Sequence, residues 1–277
     1  MPEWRWRRRG AIGASGEGAM ADPIVGAHVG TADPLAAAAE RDADAVQIFL
    51  GNPQSWKKPE PRDDTEALLA SGLPVYVHSP YPMNLASGNN RVRIPSRKTL
   101  AQIVEAADAI GARGVIVHGG SVEDDEEVTL GFERWRKAMD SFEQTVPILV
   151  ENTAGSGNTV MQDLTNYGPL WDEIGDYNVG VCLDTCHAWA AGADMEGAVD
   201  LITGLTGGIA LVHANDSRDP AGSNRDRHEN LGEGEIPEDL LVGLVRAAGA
   251  PAIVETRGDA GQQAADIAWL RARLEAT

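Results

Sequence analysis

The chain has 277 residues, a length that α/β barrels commonly reach as one domain. Hydrophobic residues make up 43% of it, and no apolar run approaches the ~20 residues that span a bilayer, so a transmembrane protein is excluded. The net charge of −19 would repel nucleic acid unless salt screens it. With only four lysines, this acidic composition favours adaptation to concentrated salt over an ordinary acidic protein.

The first nineteen residues differ in composition from the rest. They contain four arginines, at positions 5, 7, 8 and 9, and they lack the apolar stretch of an export signal. A basic nucleic-acid arm and an arginine-rich targeting peptide are alternatives. We expect residues 1–19 to be a non-native or disordered extension, with Met20 as the true start and residues 20–277 as one catalytic domain.

Two cysteines, Cys182 and Cys186, lie within one strand-to-helix turn. This spacing argues against a disulfide, so we expect a reduced, cytoplasmic protein without a membrane partner. Cys186 lies near candidate metal ligands, but a small buried filler is the favoured interpretation because other ligands suffice. We expect the protein to be a monomer.

Eight strand-like apolar runs alternate with helix-like segments. The runs are PIVGAHV near His28, AVQIF near Phe49, PVYVH to His78, GVIVH to His118, PILVE to Glu151, VGVCLD to Asp184, IALVH to His213 and PAIVE to Glu255. Alternation repeated eight times predicts an α/β fold, the (β/α)8 TIM barrel. An open doubly wound sheet is the alternative, but no GxGxxG opens a first βα turn.

The intervals between the strands fit helices. The segments are LAAAAERDA, DDTEALLASG, SRKTLAQIVEAADAIGARG, TLGFERWRKAMDSFEQ, MQDLTNYGPLWDEIG, EGAVDLITGL, PEDLLVGLVRAAG and GQQAADIAWLRARL. We expect Gly72 to cap the second helix at its C-terminus and Ser96 to cap the third at its N-terminus.

Six of the strand-like runs end on a residue that can bind a metal, although packing gives no reason for this. A parallel barrel gathers its strand ends on one rim, so these side chains should converge. Three further candidates lie just beyond two of the ends. The nine are His78, His118, Glu151, Asp184, His187, His213, Asp226, His228 and Glu255.

Nine candidate ligands are more than one zinc ion needs, since zinc takes about four. Asp184 and His187 lie three residues apart across a strand-to-helix turn, and Asp226 and His228 lie two apart, on one face of an extended chain. The sequence therefore predicts a multinuclear centre, most typical of phosphate hydrolysis, that zinc, manganese or iron could fill. His28 matches no ligand, and we expect it to lie behind the ligands or in the core.

The chain resembles the endonuclease IV family, which are trinuclear-zinc apurinic/apyrimidinic endonucleases of DNA base-excision repair on a TIM barrel. The segments that carry the resemblance run in order from about Val25 to Thr256. They are GAHVG, HSPYPMNLAS, ENTAGSG, VGVCLDTCHAWAAG, HANDS, GSNRDRHENLGEG and PAIVET.

The resemblance implies three zinc ions and a role for each ligand. Glu151 would bridge two ions, one held also by His78 and His118, the other by Asp184, His213 and Glu255. The third ion would be held by His187, Asp226 and His228. Glu151 and Glu255 would be the catalytic residues.

The resemblance also implies the reaction. Zinc-activated water would attack the phosphodiester 5′ to an abasic site in double-stranded DNA, leaving a 3′-hydroxyl, and 3′-end repair phosphodiesterase activity could accompany it. Such an enzyme reads a missing base that can be flipped out, since phosphate contacts carry no sequence information.

The expected DNA contacts depart from the family pattern. The family inserts a basic side chain and an aromatic–aliphatic pair into the DNA, but here Gln54 replaces the expected arginine and Pro82 the aliphatic residue, while Tyr81 is kept. Asn84 and Arg227 complete the predicted DNA-binding set. Trp56 could contact DNA or belong to the core.

Two other functions compete. Metal-dependent sugar isomerases and epimerases of the xylose-isomerase-like class use a similar rim, but they do not need His187, Asp226 and His228 together. A non-catalytic binder of abasic DNA is favoured only by the changes at Gln54 and Pro82.

Overall fold

A computed structural model describes residues 23–276 of the chain, and the extension expected at residues 1–19 lies outside them. The described residues form a closed barrel of eight parallel strands in the order β1-β10-β7-β6-β5-β4-β3-β2, which confirms the predicted TIM barrel. Its strands are β1 (Val25–His28), β2 (Val46–Ile48), β3 (Val75–His78), β4 (Gly114–His118), β5 (Ile148–Glu151), β6 (Val179–Asp184), β7 (Leu211–His213) and β10 (Ala252–Val254).

Two short strands lie outside the barrel. They are β8 (Asp216–Ser217) and β9 (His228–Glu229), which pair antiparallel at the rim. Because Asp216 faces Glu229 and Ser217 faces His228, the long loop between them is closed at its base. This hairpin brings Asp226 and His228 back toward the barrel.

Helices fill every interval between barrel strands. They are α1 (Pro34–Arg41), α2 (Thr65–Ser71), α3 (Asn90–Ala109), α4 (Thr129–Met139), α5 (Tyr167–Ile174), α6 (Thr185–Ala191), α7 (Ala198–Thr206), α8 (Glu238–Ala248) and α9 (Ala260–Glu275), with a 3₁₀ turn at Leu164–Asn166 before α5. Gly72 caps α2 in the left-handed conformation (φ 70°), as predicted.

The predicted start of α3 was wrong. The helix begins six residues earlier than Ser96, at Asn90, where the side chain of Asn89 accepts a hydrogen bond from the Arg91 amide. Pro95 lies inside the helix in its second turn, where it removes one intrahelical hydrogen bond. Ser96 is buried and donates its hydroxyl to the Val92 carbonyl, so it cannot cap.

The barrel interior explains why functional side chains gather at one end. One buried layer of side chains fills the barrel, and it consists of Ala45, Tyr76, Ile116, Leu149, Cys182, Leu211 and Ile253. Side chains alternate across a strand, so the residue two positions further along each strand also points inward. Those residues are Gln47, His78, His118, Glu151, Asp184, His213 and Glu255.

The second core lies between the strands and the surrounding helices, with Trp135, Tyr167 and Leu100 among its fully buried side chains. At one point the barrel wall tolerates no side chain. A Cβ at Gly26 would lie 2.0 Å from the Ala45 carbonyl oxygen, so only glycine fits there. Within residues 23–276, no helix combines the length and apolarity needed to cross a membrane.

Candidate metal centre

The structure brings all nine predicted ligands together at the carboxyl-terminal rim of the barrel. They form three groups whose ligand atoms lie within 4.8 Å of one another: His78, His118 and Glu151; Glu151, Asp184, His213 and Glu255; and His187, Asp226 and His228. Each group contains the residues that the resemblance implied for one ion, and Glu151 belongs to two groups.

The first group surrounds one oxygen of Glu151. Glu151 Oε2 lies 3.1 Å from His118 Nε2 and 3.4 Å from His78 Nε2. It is nevertheless a buried oxygen without a hydrogen bond to any described residue. Two ligand atoms on one tetrahedral zinc ion lie about 3.3 Å apart, given zinc–ligand distances of about 2.0–2.1 Å. These residues therefore fit a metal ion.

The second group is almost fully buried. His213 Nδ1 lies 3.0 Å from Glu151 Oε1, 3.4 Å from Glu255 Oε2 and 3.8 Å from Asp184 Oδ2. Three carboxylates this close repel one another, and a single imidazole does not neutralise them. A divalent cation between them would remove the repulsion.

The third group is more exposed. His187 Nε2 lies 3.3 Å from Asp226 Oδ2, and His228 Nε2 lies 3.2 Å from Asp226 Oδ1. His187 is in the first turn of α6, where its amide donates to Asp184 Oδ1, so a single carboxylate caps the helix and faces the second group. Asp226 comes from the β8–β9 loop, and its side chain is 53% exposed.

In His78, His187 and His213 the ring nitrogen that faces away from the ligand group contacts an acceptor, and this orients the other nitrogen. His78 Nδ1 lies 2.7 Å from the Ser79 carbonyl oxygen, and His187 Nδ1 lies 3.0 Å from that of Asn152. Each acceptor favours a proton on Nδ1, which leaves the Nε2 lone pair pointing into its group. In His213 the two nitrogens exchange roles, because Nε2 faces Gln47 Oε1 at 2.8 Å and Nδ1 points into the ligand group.

Gln47 is a functional candidate that the sequence interpretation missed. It is fully buried in the middle of β2, and its amide nitrogen donates to Glu255 Oε1 at 2.6 Å and lies 2.8 Å from His28 Nδ1. It thus holds His213 and Glu255 from behind, and His28 lies behind the ligands as expected. The signal was present, since Gln47 is the polar residue that ends its strand's inward row.

Two asparagines were also missed. Asn215 donates to Asp184 Oδ2 at 2.8 Å and accepts from the Glu255 amide. Asn152 accepts from the Asp184 amide at 2.8 Å and donates to its carbonyl. Both are fully buried and tie neighbouring strand ends together, so the acidic ligands stay fixed.

The ionisation of the cluster shows how strongly its charges interact. Burial alone would lower the pKa of His187, but the carboxylates of Asp184 and Asp226 raise it well above its usual value. Burial is likewise outweighed at His228, where Asp226 and Asp184 raise the pKa to about 9. Burial would raise the pKa of Glu151, but His118 and His213 hold it well below its usual value. Bound cations would take the place of the protons on His187 and His228.

The β8–β9 loop is held by a buried carboxylate. Asp216 accepts hydrogen bonds from the amides of Gly232, Gly234 and Ile236 at 3.0–3.1 Å. A Cβ at Gly234 would lie 2.4 Å from the Asp216 carboxylate, so the chain can approach only as glycine. Asp216 thereby ties β8, which precedes the loop, to the segment that follows β9.

The predicted DNA contacts lie in different settings. Tyr81 is 56% exposed and lines the cavity over the metal ligands, and Gln54 is exposed nearby. The Asn84 side chain bonds to Ser121, joining two loops. Arg227 forms an ion pair with Asp219. Pro82 is half-buried beside Tyr81.

The structure shows whether Trp56 belongs to the core and whether the two cysteines are buried. Trp56 is 36% exposed, so it does not belong to the core. Cys182 and Cys186 are both buried as free thiols, and burial raises the pKa of each to about 12. Cys186 does approach Asp184 and His228, but the three groups above do not require it.

Cavity size alone would not find this site. The cavity above the ligands measures about 230 Å³ and is lined by five histidines, His28, His78, His118, His187 and His228. A larger one of about 730 Å³, between residues 159–166 and 191–201, touches none of the nine ligands. The chemistry of the lining residues identifies the smaller cavity.

The barrel and its ring of His and carboxylate ligands define a class of protein. A family profile for xylose isomerase-like TIM barrels matches residues 35–273. A D-tagatose 3-epimerase-like protein superposes with a TM-score of 0.76 over 91% of this chain and 97% of its own, at 20% identity, which shows a shared fold alone.

Closer relatives define the family. A probable endonuclease 4 from Mycobacterium tuberculosis is 59% identical over 250 residues, 90% of this chain and 98% of that protein. Endonuclease IV from Thermus thermophilus superposes with a TM-score of 0.80 at 30% identity, over 92% of this chain and all of its own. The chain belongs to the endonuclease IV family and is a hydrolase of the nuclease type.

The comparisons do not bear out one expectation from composition. Several relatives at 55–59% identity are mycobacterial, and one of them is a probable endonuclease 4 from Mycobacterium leprae, matched over 90% of this chain and 98% of that protein. The salt adaptation that the net charge of −19 suggested therefore finds no support.

Proposed function

We propose that the chain is an apurinic/apyrimidinic endonuclease that cleaves the phosphodiester 5′ to an abasic site in double-stranded DNA. The observation that carries the proposal is the convergence of nine ligands in three groups on one rim, in a chain 59% identical to a probable endonuclease 4. Removal of blocking groups from DNA 3′ ends belongs to the same proposal, because it breaks the same kind of bond.

The donor set supports metal ions, and we propose three per chain. Four carboxylates, from Glu151, Asp184, Asp226 and Glu255, belong to the three ligand groups and would repel a phosphodiester without cations. Imidazole with carboxylate suits zinc, and also manganese or iron. Bound ions would supply an activated water and stabilise charge on the leaving oxygen.

The protein's own residues fix that arrangement. Glu151 joins the first and second groups because its two oxygens face different histidines. Asp184 joins the second and third groups, with Oδ2 3.8 Å from both His213 and His228. We propose Glu151 and Glu255 as the residues that hold the reacting centre, and Tyr81 as a side chain that enters the DNA.

The isomerase alternative is weaker for a specific reason. Sugar isomerisation needs one or two cations, and the first two groups would suffice for it. The third group, from His187, Asp226 and His228, has a separate loop and its own anchor in Asp216. A third ion suits a reaction in which negative charge develops on a leaving oxygen.

Incision of a duplex with one tetrahydrofuran abasic analogue tests the proposal. Wild-type protein should cut on the 5′ side, lose this activity when a chelator strips its metals, and recover it with added zinc. Glu151→Gln should lower the rate by about 10³-fold or more, because several kcal/mol of metal-dependent stabilisation is lost. Glu66→Gln, at an exposed position on α2, is the matched control.

A protein that binds metal but leaves the duplex intact would contradict the proposal. Turnover of free sugars by that same protein would then establish the isomerase alternative. Gel-shift binding of abasic DNA without incision would establish the non-catalytic binder.

A further inference from the structure

Acidic residues are distributed unevenly along this acidic chain. Asp and Glu account for 42 of 277 residues, yet residues 45–59 and residues 79–104 contain neither. The first segment spans β2 and the loop after it, and the second spans the loop after β3 and the first turns of α3. Helices of a parallel barrel begin at the carboxyl-terminal rim, so both segments lie on the side of the metal centre.

The same two segments hold three of the chain's four lysines. Lys57 and Lys58 follow Trp56 in the loop after β2, and Lys98 lies in α3. Trp56, Lys58, Ile94 and Lys98 line one concavity of about 430 Å³. We call Trp56, Lys57, Lys58, Ile94 and Lys98 the lysine face.

The cations of this face are available to a partner. Lys57 and Lys98 form no ion pair with any described residue, and Lys58 pairs only with Glu105 at 3.4 Å. Both members of that pair are more than half exposed, so the pair contributes little. The fourth lysine, Lys137, is paired with Glu133 one turn earlier in α4.

The face also exposes apolar surface beside its charges. Ile94 is 59% exposed and Trp56 is 36% exposed, two of the eight large hydrophobic residues exposed among those described. A partner that fits both the lysines and the exposed apolar side chains carries regularly spaced negative charges with apolar surface between them. The phosphate and deoxyribose backbone of DNA has this composition.

We propose that the lysine face binds the DNA duplex that flanks the lesion, an inference that rests on the proposed function. The face is continuous with the rim, because Trp56 lies two residues after Gln54 and the Tyr81 amide donates to the Pro53 carbonyl at 2.9 Å. The lysines contact phosphates, and Trp56 and Ile94 lie against the sugars. A duplex bound over the metal centre therefore passes the start of α3, because Ile94 and Lys98 lie within the first three turns of that helix.

Steady-state incision by a Lys57→Gln/Lys98→Gln variant tests this inference, with Lys137→Gln as the matched control. Removing one lysine–phosphate pair should weaken binding about five-fold at ~0.15 M salt, because the affinity falls with a salt slope of about −0.9 for each phosphate neutralised. We expect KM on a long duplex to rise about 25-fold, with kcat unchanged and a salt slope smaller by about 2.

Two shortened duplexes, each truncated on one side of the lesion, sharpen the test. On one of them the KM of wild type should rise to that of the variant, because the flank that reaches the face is missing. Trp56→Ala should raise KM on the long duplex and Trp56→Phe should restore it.

Other outcomes would overturn the inference. An equal KM for wild type and variant on every duplex would exclude a DNA flank at this face. A variant that changes only the concentration-dependent sedimentation of the protein would assign the face to a second copy of the chain. If wild type cuts no abasic duplex, the proposed function fails, and anisotropy of an undamaged duplex with wild type and variant still decides whether the face binds DNA.

Discussion

The metal centre has two halves that are built in different ways. Glu151, Asp184 and His213 lie at the ends of barrel strands and are fully buried. Asp226 lies in the β8–β9 loop and His228 begins β9, with side chains 53% and 16% exposed. The strand half is positioned by the sheet that also forms the core, whereas the loop half depends on a few polar contacts.

This difference separates fold from function. Disturbing the strand half disturbs ligands that share carboxylates, so several ions should be lost together. Disturbing the loop half should remove one ion and leave the barrel intact. The following predictions test this separation, from the largest effect to the smallest.

Asp184→Asn should have the largest effect, because Asp184 contacts both His213 and His228 and caps α6. An amide cannot accept from Asn215 and His187 while it also holds a cation. We expect the incision rate to fall by about 10³-fold and more than one ion per chain to be lost. Elemental analysis with single-turnover incision measures both, and retention of a full metal complement would contradict the shared role of Asp184.

Asp216→Asn should disorder the loop half alone. The amides of Gly232, Gly234 and Ile236 would face an NH₂ group or lose a charged acceptor, at a cost of about 1.5–3 kcal/mol for such hydrogen bonds. Limited proteolysis within residues 218–235 should become faster, and one ion should be lost. Glu233→Gln, at an exposed position of the same segment, is the control and should keep its metals.

Gln47→Leu should lower the metal affinity of the strand half, because Gln47 holds two of its ligands in position. His213 Nε2 would lose its acceptor and Glu255 its donor, and contacts of this kind are worth about 10–100-fold in metal affinity. Chelator competition measures the affinity, while Gln54→Leu serves as an exposed control. Unchanged affinity in Gln47→Leu would mean that the strand ends alone position the ligands.

The metal-free protein should lose stability as pH rises above neutrality. His228 has a folded-state pKa of about 9, above the ordinary value of 6.5, so its stabilisation is complete below pH 6.5 and is lost as pH rises through 9. The contribution of His228 alone to this loss should be on the order of 2 kcal/mol between pH 7 and pH 10 in the metal-free protein. Metal-loaded protein should not show this loss, because the cation replaces the proton. Thermal melts of both forms, with His228→Gln as control, measure it.

Much of this architecture could be predicted because the alternation of side chains along each strand places a metal ligand at the strand's end. An inward row of side chains along each strand ends in a ligand, as in Tyr76 and His78 or Leu149 and Glu151. A parallel barrel then gathers those ends. The sequence thus predicts the strands and the ligand cluster from local pattern and one geometric rule.

The remainder depends on contacts that no local pattern encodes. The role of Gln47 could not be predicted, because its partners His213 and Glu255 lie far away in the sequence. The role of Asp216 depends on Gly234, whose amide reaches it from 18 residues further along the chain. The start of α3 was wrong because Asn89 provides a cap that a pattern of apolar residues does not reveal. Long-range contacts explain the first two, and a local cap explains the third.

The metal content of the loop half tests the central claim most directly. Wild type and Asp226→Asn should each be stripped, reloaded with zinc, freed of excess metal and analysed for zinc per chain beside their incision rates. We predict three ions in wild type and two in Asp226→Asn, with incision greatly reduced and the fold unchanged by circular dichroism. Full incision by wild type with two ions or fewer would contradict the account.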